Sequence, residues 1–319
     1  MSDTGGKRRR NLVLGGRGFI GTHLVGALLA DGQHVRCLFR PFTGQQASPV
    51  YQHQNLEIVE GDFTNEADVA RALESCEVCY HLISTTLPKS SNENPAFDVQ
   101  SNVLSTISLL SNGVKSGLKK VVFVSSGGTV YGAPRESLIT EEHPTNPISS
   151  YGITKLTIEK YLQLFQQLHG LEYVVLRLAN PFGHGQRISA TQGAVAVFFG
   201  KILRGEEIEI WGDGSVVRDY IYIDDVIRAL LLASDRGGQE RIFNIGSGAG
   251  RSLNDVIRSI EAATGRAAMV KYKPSRSFDV PSSVLNIERA RLALDWSPRV
   301  AFEEGVIRVA ASLSREFDG

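Results

Sequence analysis

In the first half of the chain, short continuous runs of hydrophobic residues alternate with longer stretches in which apolar positions recur at helical spacing. The continuous runs predict strands buried on both faces, because only such strands are apolar on both sides. We predict these strands at 11–16, 34–39, 56–62, 77–84, 119–126 and 172–179. The spaced positions predict helices at 19–30, 66–75, 97–116 and 150–169.

Strands that alternate with helices are typical of a parallel sheet covered on both sides. We therefore predict an α/β fold, a Rossmann-type doubly wound parallel sheet over residues 11–179 that follows a flexible tail at 1–10. Shorter and more mixed elements follow, which predict a smaller mixed C-terminal substrate-binding lobe at 180–319, with parts of 216–250 returning to the first domain as an alternative. Helices are predicted in this lobe at 224–234, 252–264 and 302–315.

Composition excludes several classes of protein. The 319 residues carry 34 basic and 34 acidic side chains, so no net field favours nucleic acid or an acidic membrane. No apolar run approaches the ~18 residues of a spanning helix. Three cysteines are a small and odd number, which argues against a disulfide framework. The histidines are scattered along the chain, so we expect no metal site. We expect a cytoplasmic protein without a nucleic-acid, membrane or metal partner.

A cluster of glycines joins the first predicted strand to the first predicted helix. Gly15, Gly18 and Gly21 allow a tight turn and a close approach of backbone to ligand, and the helix start supplies free N–H groups. This strand–turn–helix context predicts a dinucleotide site. The turn residues that we expect to contact the cofactor are Gly15, Arg17, Gly18, Phe19, Ile20 and Gly21.

The charges after the second strand leave the choice between NAD and NADP open. NAD sites usually place an acid there, but no Asp or Glu occurs from 32 to 56, and Arg40 stands in its place. Arg40 and Arg17 would suit the 2′-phosphate of NADP. The alternative is that Arg40 is solvated and NAD is held from elsewhere. Asp62 is predicted to contact the adenine, and the alternative is that it is only a turn residue. Phe63, the next residue, is also predicted to contact the cofactor.

Tyr151 and Lys155 are four residues apart at the start of a predicted helix, which places both side chains on one face. A phenol with a pKa of about 10 is a poor base at neutral pH. A neighbouring ammonium and a cationic nicotinamide both favour the phenolate, so Lys155 and the cofactor would make Tyr151 a usable proton acceptor.

At this point the chain resembles the extended short-chain dehydrogenase/reductases, in the NAD-dependent epimerase/dehydratase branch that acts on nucleotide sugars. The motifs that carry the resemblance are GGRGFIG (15–21), Gly61 with Asp62, Asn102, SSGGTVYG (125–132), YGITK (151–155), LRLANPFGHGQ (176–186), GDGSVVRDYIYIDDV (212–226) and RSFDV (276–280). The match extends over nearly the whole chain.

The resemblance implies roles for individual residues. Tyr151 would be the catalytic base, and Lys155 would bind the nicotinamide ribose and polarise Tyr151. The further cofactor contacts that it implies are Leu82, Ile83, Ser84 and Asn102. The substrate diphosphate would be held by Asn180, Arg218 and Arg276, and its ribose by Asp279.

The chain departs from the family at Gly127, where many sugar epimerases carry Ser or Thr. Counting along the fifth strand places Ser126 at its carboxyl end, where ligands bind in such sheets. We predict that Ser126 is the catalytic residue that contacts the sugar hydroxyl, with Thr129 as the alternative.

The resemblance implies a 4-epimerase of a UDP- or dTDP-hexose, which oxidises the sugar transiently to a 4-keto form and reduces it again. Residues 127–129 lack the carboxylate that a dehydratase needs. The alternatives are an NADPH-dependent 4-ketoreductase of a nucleoside-diphosphate 4-keto-6-deoxyhexose and a non-catalytic dinucleotide-sensing protein. Helices 97–116 and 150–169 also have spare apolar positions. Core burial explains them, and a dimer face is the alternative for some of them, so we expect a homodimer.

Overall fold

The computed structural model describes residues 9–40, 52–188, 193–236, 238–275 and 280–317. Most of the predicted tail at 1–10 therefore lies outside the described residues. The chain divides into two compact units. Unit 1 consists of Met1–Ser125, Pro147–Leu176 and Ala233–Arg241. Unit 2 consists of Ser126–Asn146, Arg177–Leu232 and Ile242–Gly319.

Strands and helices alternate as predicted through the first half of the chain. The strands are β1 (Arg10–Leu14), β2 (His34–Phe39), β3 (Leu56–Glu60), β4 (Val78–His81), β5 (Lys120–Ser126), β6 (Glu172–Leu178), β7 (Asn180–Phe182), β8 (Glu207–Trp211), β9 (Val217–Tyr222), β10 (Ile242–Ile245), β11 (Gly250–Ser252), β12 (Met269–Lys273) and β13 (Ser282–Ser283).

The helices begin with α1 (Phe19–Ala30), α2 (Glu66–Leu73), α3 (Pro88–Glu93) and α4 (Pro95–Asp98), which runs into a π-helical segment (Val99–Leu104). The others are α5 (Ser105–Ser116), α6 (Ser150–His169), α7 (Ala194–Arg204), α8 (Ile223–Asp235), α9 (Leu253–Thr264), α10 (Glu288–Leu294) and α11 (Phe302–Phe317). None of those in the described ranges has the length and apolarity that a bilayer crossing requires.

The main sheet has seven strands in the order β10-β6-β5-β4-β1-β2-β3, which confirms the doubly wound parallel sheet. β1 lies between β2 and β4, with Val13 opposite both Cys37 and Tyr80. All three side chains are buried, because helices cover both faces of the sheet. Cys79 is also fully buried and Cys76 nearly so, and both are free thiols.

Two predicted elements differ from the structure. β3, expected to be buried on both faces, is the edge strand of the main sheet, and its residues are exposed or half-buried. The single helix expected at 97–116 is three pieces, α4, the π-helical segment and α5. The helical stretch begins at Pro95, two residues before the predicted start, because Asn94 caps the N–H of Phe97 and Pro95 takes the first helical position of α4, where its missing N–H costs nothing. A π-helical segment then replaces the regular spacing as far as Leu104.

Unit 2 contains smaller sheets, as predicted for a mixed lobe. β9 pairs with β7, β11 and β13, and β8 pairs in parallel with β12. Trp296 is fully buried, and its indole N–H donates to the carbonyl of Asp225 over 3.0 Å. The Asp225 carboxylate accepts from the backbone N–H groups of Arg299 and Val300, so it anchors the approach to α11.

Candidate active site

The glycine turn lies directly against the end of β4. Gly15 has a φ of +85°, and a Cβ there would approach the backbone of Leu82 and Ile83 to 3.2 Å. A Cβ at Gly21 would lie 2.1 Å from the Gly15 carbonyl oxygen, so a side chain would push α1 off the turn. Only glycine therefore fits either position.

The start of α1 has the properties of an anion site. Its N-cap, Gly18, has no side chain to accept from the first N–H groups, and the first turn contains no acid. The N–H groups and the positive end of the helix dipole favour a negatively charged group such as a pyrophosphate. The turn and helix thus fit the cofactor that the glycines predict.

A cavity of about 530 Å³ opens beside this turn in unit 1. It is lined by Gly15, Arg17, Gly18, Leu38, Phe39, Arg40, Gly61, Phe63, Ile83, Ser84, Thr85 and Phe97. Seven of these are predicted cofactor residues. Leu38, Phe39, Gly61, Thr85 and Phe97 were missed, although the first four lie at the carboxyl ends of β2, β3 and β4 or just beyond them, where a parallel sheet binds ligands.

The two arginines of the cavity are both engaged by neighbouring groups. The Arg17 guanidinium lies 4.3 Å from the centre of the Phe39 ring. The Arg40 Nε contacts Asp62 Oδ2 at 2.9 Å, and Thr64 donates to the other oxygen of this carboxylate from both its N–H and its hydroxyl. Burial raises the pKa of Asp62, but the hydrogen bonds from Thr64 and the Arg40 charge outweigh it and leave the pKa below its ordinary value.

Tyr151 lies in the first turn of α6, which is held from two sides. The Ser149 hydroxyl caps the N–H of Gly152, and the Tyr151 N–H donates to Ser91 Oγ over 3.0 Å. Burial and, to a smaller extent, the charge of Asp98 raise the pKa of Tyr151 to about 12. A hydrogen bond with Ser84 acts in the opposite direction but is outweighed. Ser84 lines the cavity, so its hydrogen bond connects the Tyr151 phenol to the cavity wall.

Lys155 is buried, with 4% of its surface exposed, and it lies on the same helix face as Tyr151. Its Nζ donates to the Val124 carbonyl over 2.9 Å and stands 5.6 Å from the centre of the Tyr151 ring. Burial lowers the pKa of Lys155 to about 8, although Asp98 and Glu159 act to raise it. The ammonium therefore persists at neutral pH beside the phenol.

Asn102 lies in the π-helical segment and is buried behind the cavity wall. Its Oδ1 accepts from the N–H of Thr85 at 3.0 Å, and its Nδ2 donates to Asp98 Oδ1 at 2.8 Å. Asn102 does not line the cavity, but it orients Thr85, which does. Of the other predicted contacts, Phe19, Ile20, Gly21, Asp62, Leu82, Tyr151 and Lys155 also lie outside the lining of this cavity.

The end of β5 contains the residues predicted to reach the sugar. Ser126 is the last residue of the strand and is half-buried. At Gly127, the departure from the family pattern, a Cβ would lie 2.6 Å from Leu285, so a serine there would displace that side chain. The hydroxyl of Thr129 is buried and has no hydrogen-bond partner within the described ranges. A buried hydroxyl without a partner is costly unless a ligand supplies one.

The predicted substrate residues of unit 2 are only partly described. Asn180 begins β7, and its Nδ2 donates to the Asp219 carbonyl over 2.8 Å. Arg218 lies in β9, where its guanidinium donates to the carbonyls of Val217 and Val280. Arg276 and Asp279 lie outside the described residues. No cluster of three or more metal-ligating side chains occurs in the described part of the chain.

Comparison with known proteins gives consistent matches. The profile of the NAD dependent epimerase/dehydratase family matches residues 11–246. A UDP-glucose 4-epimerase of Mycolicibacterium smegmatis is 36% identical over 94% of this chain and 96% of its own length. A dTDP-4-dehydro-6-deoxyglucose reductase of Escherichia coli is 31% identical over 95% of this chain and 96% of its own.

Solved structures resemble the whole chain. UDP-glucose 4-epimerase of Thermotoga maritima, solved with UDP-glucose, is 37% identical with a TM-score of 0.90 and covers 97% of this chain and 99% of its own. The UDP-glucose 4-epimerase of Thermus thermophilus, solved with NAD, is 33% identical with a TM-score of 0.86, over 96% of this chain and 99% of its own.

Proposed function

The chain belongs to the NAD dependent epimerase/dehydratase family, and from this premise we propose that it is an NAD-using 4-epimerase of a nucleoside-diphosphate hexose, with UDP-hexoses as its substrates. The observation that carries the proposal is the buried Lys155 ammonium beside Tyr151, in the unit that contains the cofactor cavity. The relatives and structures that carry the name UDP-glucose 4-epimerase support the choice of sugar nucleotide.

The residues of unit 1 would move the proton of the reaction. Tyr151, as phenolate, takes the proton of the sugar 4-hydroxyl while the C4–H bond breaks, and it returns the proton when that bond forms again on the other face. Burial raises the pKa of Tyr151 to about 12, so the positive charges of Lys155 and of a bound nicotinamide would have to lower that pKa for the phenolate to form. Bound NAD supplies the acceptor and later the donor of the C4 hydride. Atoms and electrons balance over the cycle, so no net oxidation occurs.

We assign the cofactor as NAD rather than NADP. Arg40, whose position suggested a 2′-phosphate, contacts the Asp62 carboxylate at 2.9 Å. A phosphate beside Arg40 would meet this second negative charge, whereas the free ribose hydroxyls of NAD could donate to it. The Arg40–Asp62 pair also argues against the alternative function, an NADPH-dependent 4-ketoreductase. The support for that alternative is the similarity to the dTDP-4-dehydro-6-deoxyglucose reductase of Escherichia coli.

For the sugar contact at the end of β5, the orphaned Thr129 hydroxyl favours Thr129 over Ser126. Thr129→Val should therefore lower kcat more than Ser126→Ala in the same assay. The reverse order would restore Ser126 to the role that the sequence assigns to it. Asn180, Arg218, Arg276 and Asp279 remain the candidates for holding the nucleotide.

A homodimer and a cytoplasmic location complete the proposal. Ile153, Leu164 and Leu168 are exposed on α6 at spacings that place them on one stripe, and Leu104 is exposed at the end of the π-helical segment. Such apolar side chains suit a second copy of the chain, which sedimentation would detect. Free thiols fit a reducing compartment.

The function is tested by incubating the purified protein with UDP-glucose, UDP-galactose and a dTDP-hexose, without added nicotinamide cofactor. We expect proton NMR to show one C4 epimer forming from the other, with no lasting change of absorbance in the nicotinamide band. If no epimer forms from any of them, but a 4-keto-6-deoxy sugar nucleotide is reduced with stoichiometric loss of NADPH, the protein is the reductase instead.

A further inference from the structure

A buried carboxylate that no motif predicts lies beneath the catalytic pair. Asp98, the last residue of α4, has 0% of its surface exposed. Side-chain donors reach both of its oxygens: Thr86 Oγ1 at 2.5 Å, Asn102 Nδ2 at 2.8 Å, Ser150 Oγ at 2.7 Å and Thr154 Oγ1 at 3.3 Å. So many donors are typical of an ionised carboxylate, which can only accept.

These hydrogen bonds fix the turn that carries the phenol. Ser150 precedes Tyr151, and Thr154 lies one turn later on α6 beside Lys155. Asp98 Oδ2 accepts from the Ser150 hydroxyl, and the Thr154 hydroxyl lies 3.3 Å from the same oxygen and 2.9 Å from the Tyr151 carbonyl, between which it shares its proton. Asp98 Oδ1 holds Asn102 and through it Thr85 in the cavity wall. One buried side chain thereby joins the start of α6 to the edge of the cofactor cavity.

The charge of Asp98 is not cancelled by contact with a cation in the described residues, since no ion pair involves it there. The titratable groups packed around Lys155 in unit 1 are Asp98, Glu159, Tyr151 and His81. Burial, with the nearby Lys155 charge, lowers the pKa of His81 to about 3, so His81 is neutral under ordinary conditions. Asp98 and Glu159 are therefore the groups that can balance the Lys155 ammonium.

We propose that Asp98 is a positioning residue for Tyr151 and Lys155: its buried carboxylate fixes the first turn of α6 and places a negative charge near both side chains. The proposal rests on the proposed function only for the roles of Tyr151 and Lys155. Asp98 differs from Glu159 in acting on both members of the pair, because its charge also opposes ionisation of Tyr151. Removing that charge makes both groups lose their protons at lower pH.

The test compares Asp98→Asn with Thr86→Val, which removes one hydrogen bond from the same carboxylate but leaves its charge. Protein labelled with ¹³C at the lysine Cε is titrated by NMR, and the Lys155 signal is assigned by its loss in Lys155→Met. We expect the pKa of Lys155 to fall by about one unit in Asp98→Asn and to stay unchanged in Thr86→Val. This readout needs no substrate, so it stands even if the proposed function fails.

In the epimerase assay, the alkaline limb of the kcat–pH profile, which follows the loss of the Lys155 proton, should move to lower pH in Asp98→Asn and remain in place in Thr86→Val. Asp98→Ser, which removes the charge with a smaller polar side chain, repeats the measurement if Asp98→Asn does not fold. A Lys155 titration that is unchanged in either folded variant overturns the proposal. The proposal is also overturned if neither Asp98→Asn nor Asp98→Ser folds while Thr86→Val does, because Asp98 would then serve the fold alone.

Discussion

Two arrangements of a cation and a carboxylate lie in unit 1, one at the surface and one buried. Arg40 and Asp62 touch at 2.9 Å, but their side chains are 67% and 37% exposed. Lys155 and Asp98 form no ion pair, yet both are almost completely buried, and each is held by neutral groups.

The difference shows that contact is a poor guide to electrostatic influence. Water and salt screen the exposed pair, and such pairs are worth roughly 0–1 kcal/mol. Burial removes that screening, so charges that do not touch still shift the pKa values of their neighbours. We therefore expect the buried charges to control proton transfer and the exposed pair to adjust cofactor choice only slightly.

The strongest test at the buried site is Tyr151→Phe. It keeps the ring but removes the group that accepts the proton, and general base catalysis is typically worth ~10²–10⁴ in rate. We expect kcat to fall by about that factor while bound cofactor, measured after denaturation by mass spectrometry, is retained. Tyr161→Phe, on the same helix, is the matched control and should remain active. A fully active Tyr151→Phe protein would remove Tyr151 from the mechanism.

The pH dependence tests the buried cation. Because burial lowers the pKa of Lys155 to about 8, the ammonium is present below that pH and is lost as the pH rises through it. Epimerase kcat should therefore fall on the alkaline side of pH 8, because Tyr151 loses the neighbouring positive charge that favours its ionisation. Lys155→Met should lack this alkaline limb at a much lower overall rate, whereas Lys160→Met, an exposed position on the same helix, should keep it.

The smallest effect is expected at the surface pair. Asp62→Asn removes the charge that balances Arg40, so the affinity for NADP should rise relative to NAD by up to about fivefold, the scale of a screened pair. Arg40→Ala should leave NAD binding nearly unchanged. Calorimetric titration with NAD and with NADP measures the ratio of the two affinities in each variant and in the native protein. A preference for NADP in the native protein, lost in Arg40→Ala, would mean that Arg40 binds a 2′-phosphate despite Asp62.

Local patterns along the chain determine much of the fold. The bounds predicted for β2, α1 and α6 agree with those in the structure, because strand and helix periodicity is a property of neighbouring residues. The glycine turn and the Tyr151–Lys155 spacing are also local. For this reason the sequence alone determined the order of the elements, the glycine turn before α1 and the helix face that carries the candidate catalytic pair.

Only the tertiary structure decided which charges meet. Arg40 and Asp62 are 22 residues apart, and they pair because β2 and β3 are parallel neighbours whose carboxyl ends lie side by side. Asp98 ends a four-residue helix that begins at Pro95 and continues as a π-helix, so its position beneath α6 has no periodic signal. Burial and neighbouring charges set a pKa, and both come from residues distant in sequence, so the chemistry of Tyr151 and Lys155 could not be derived from their spacing alone.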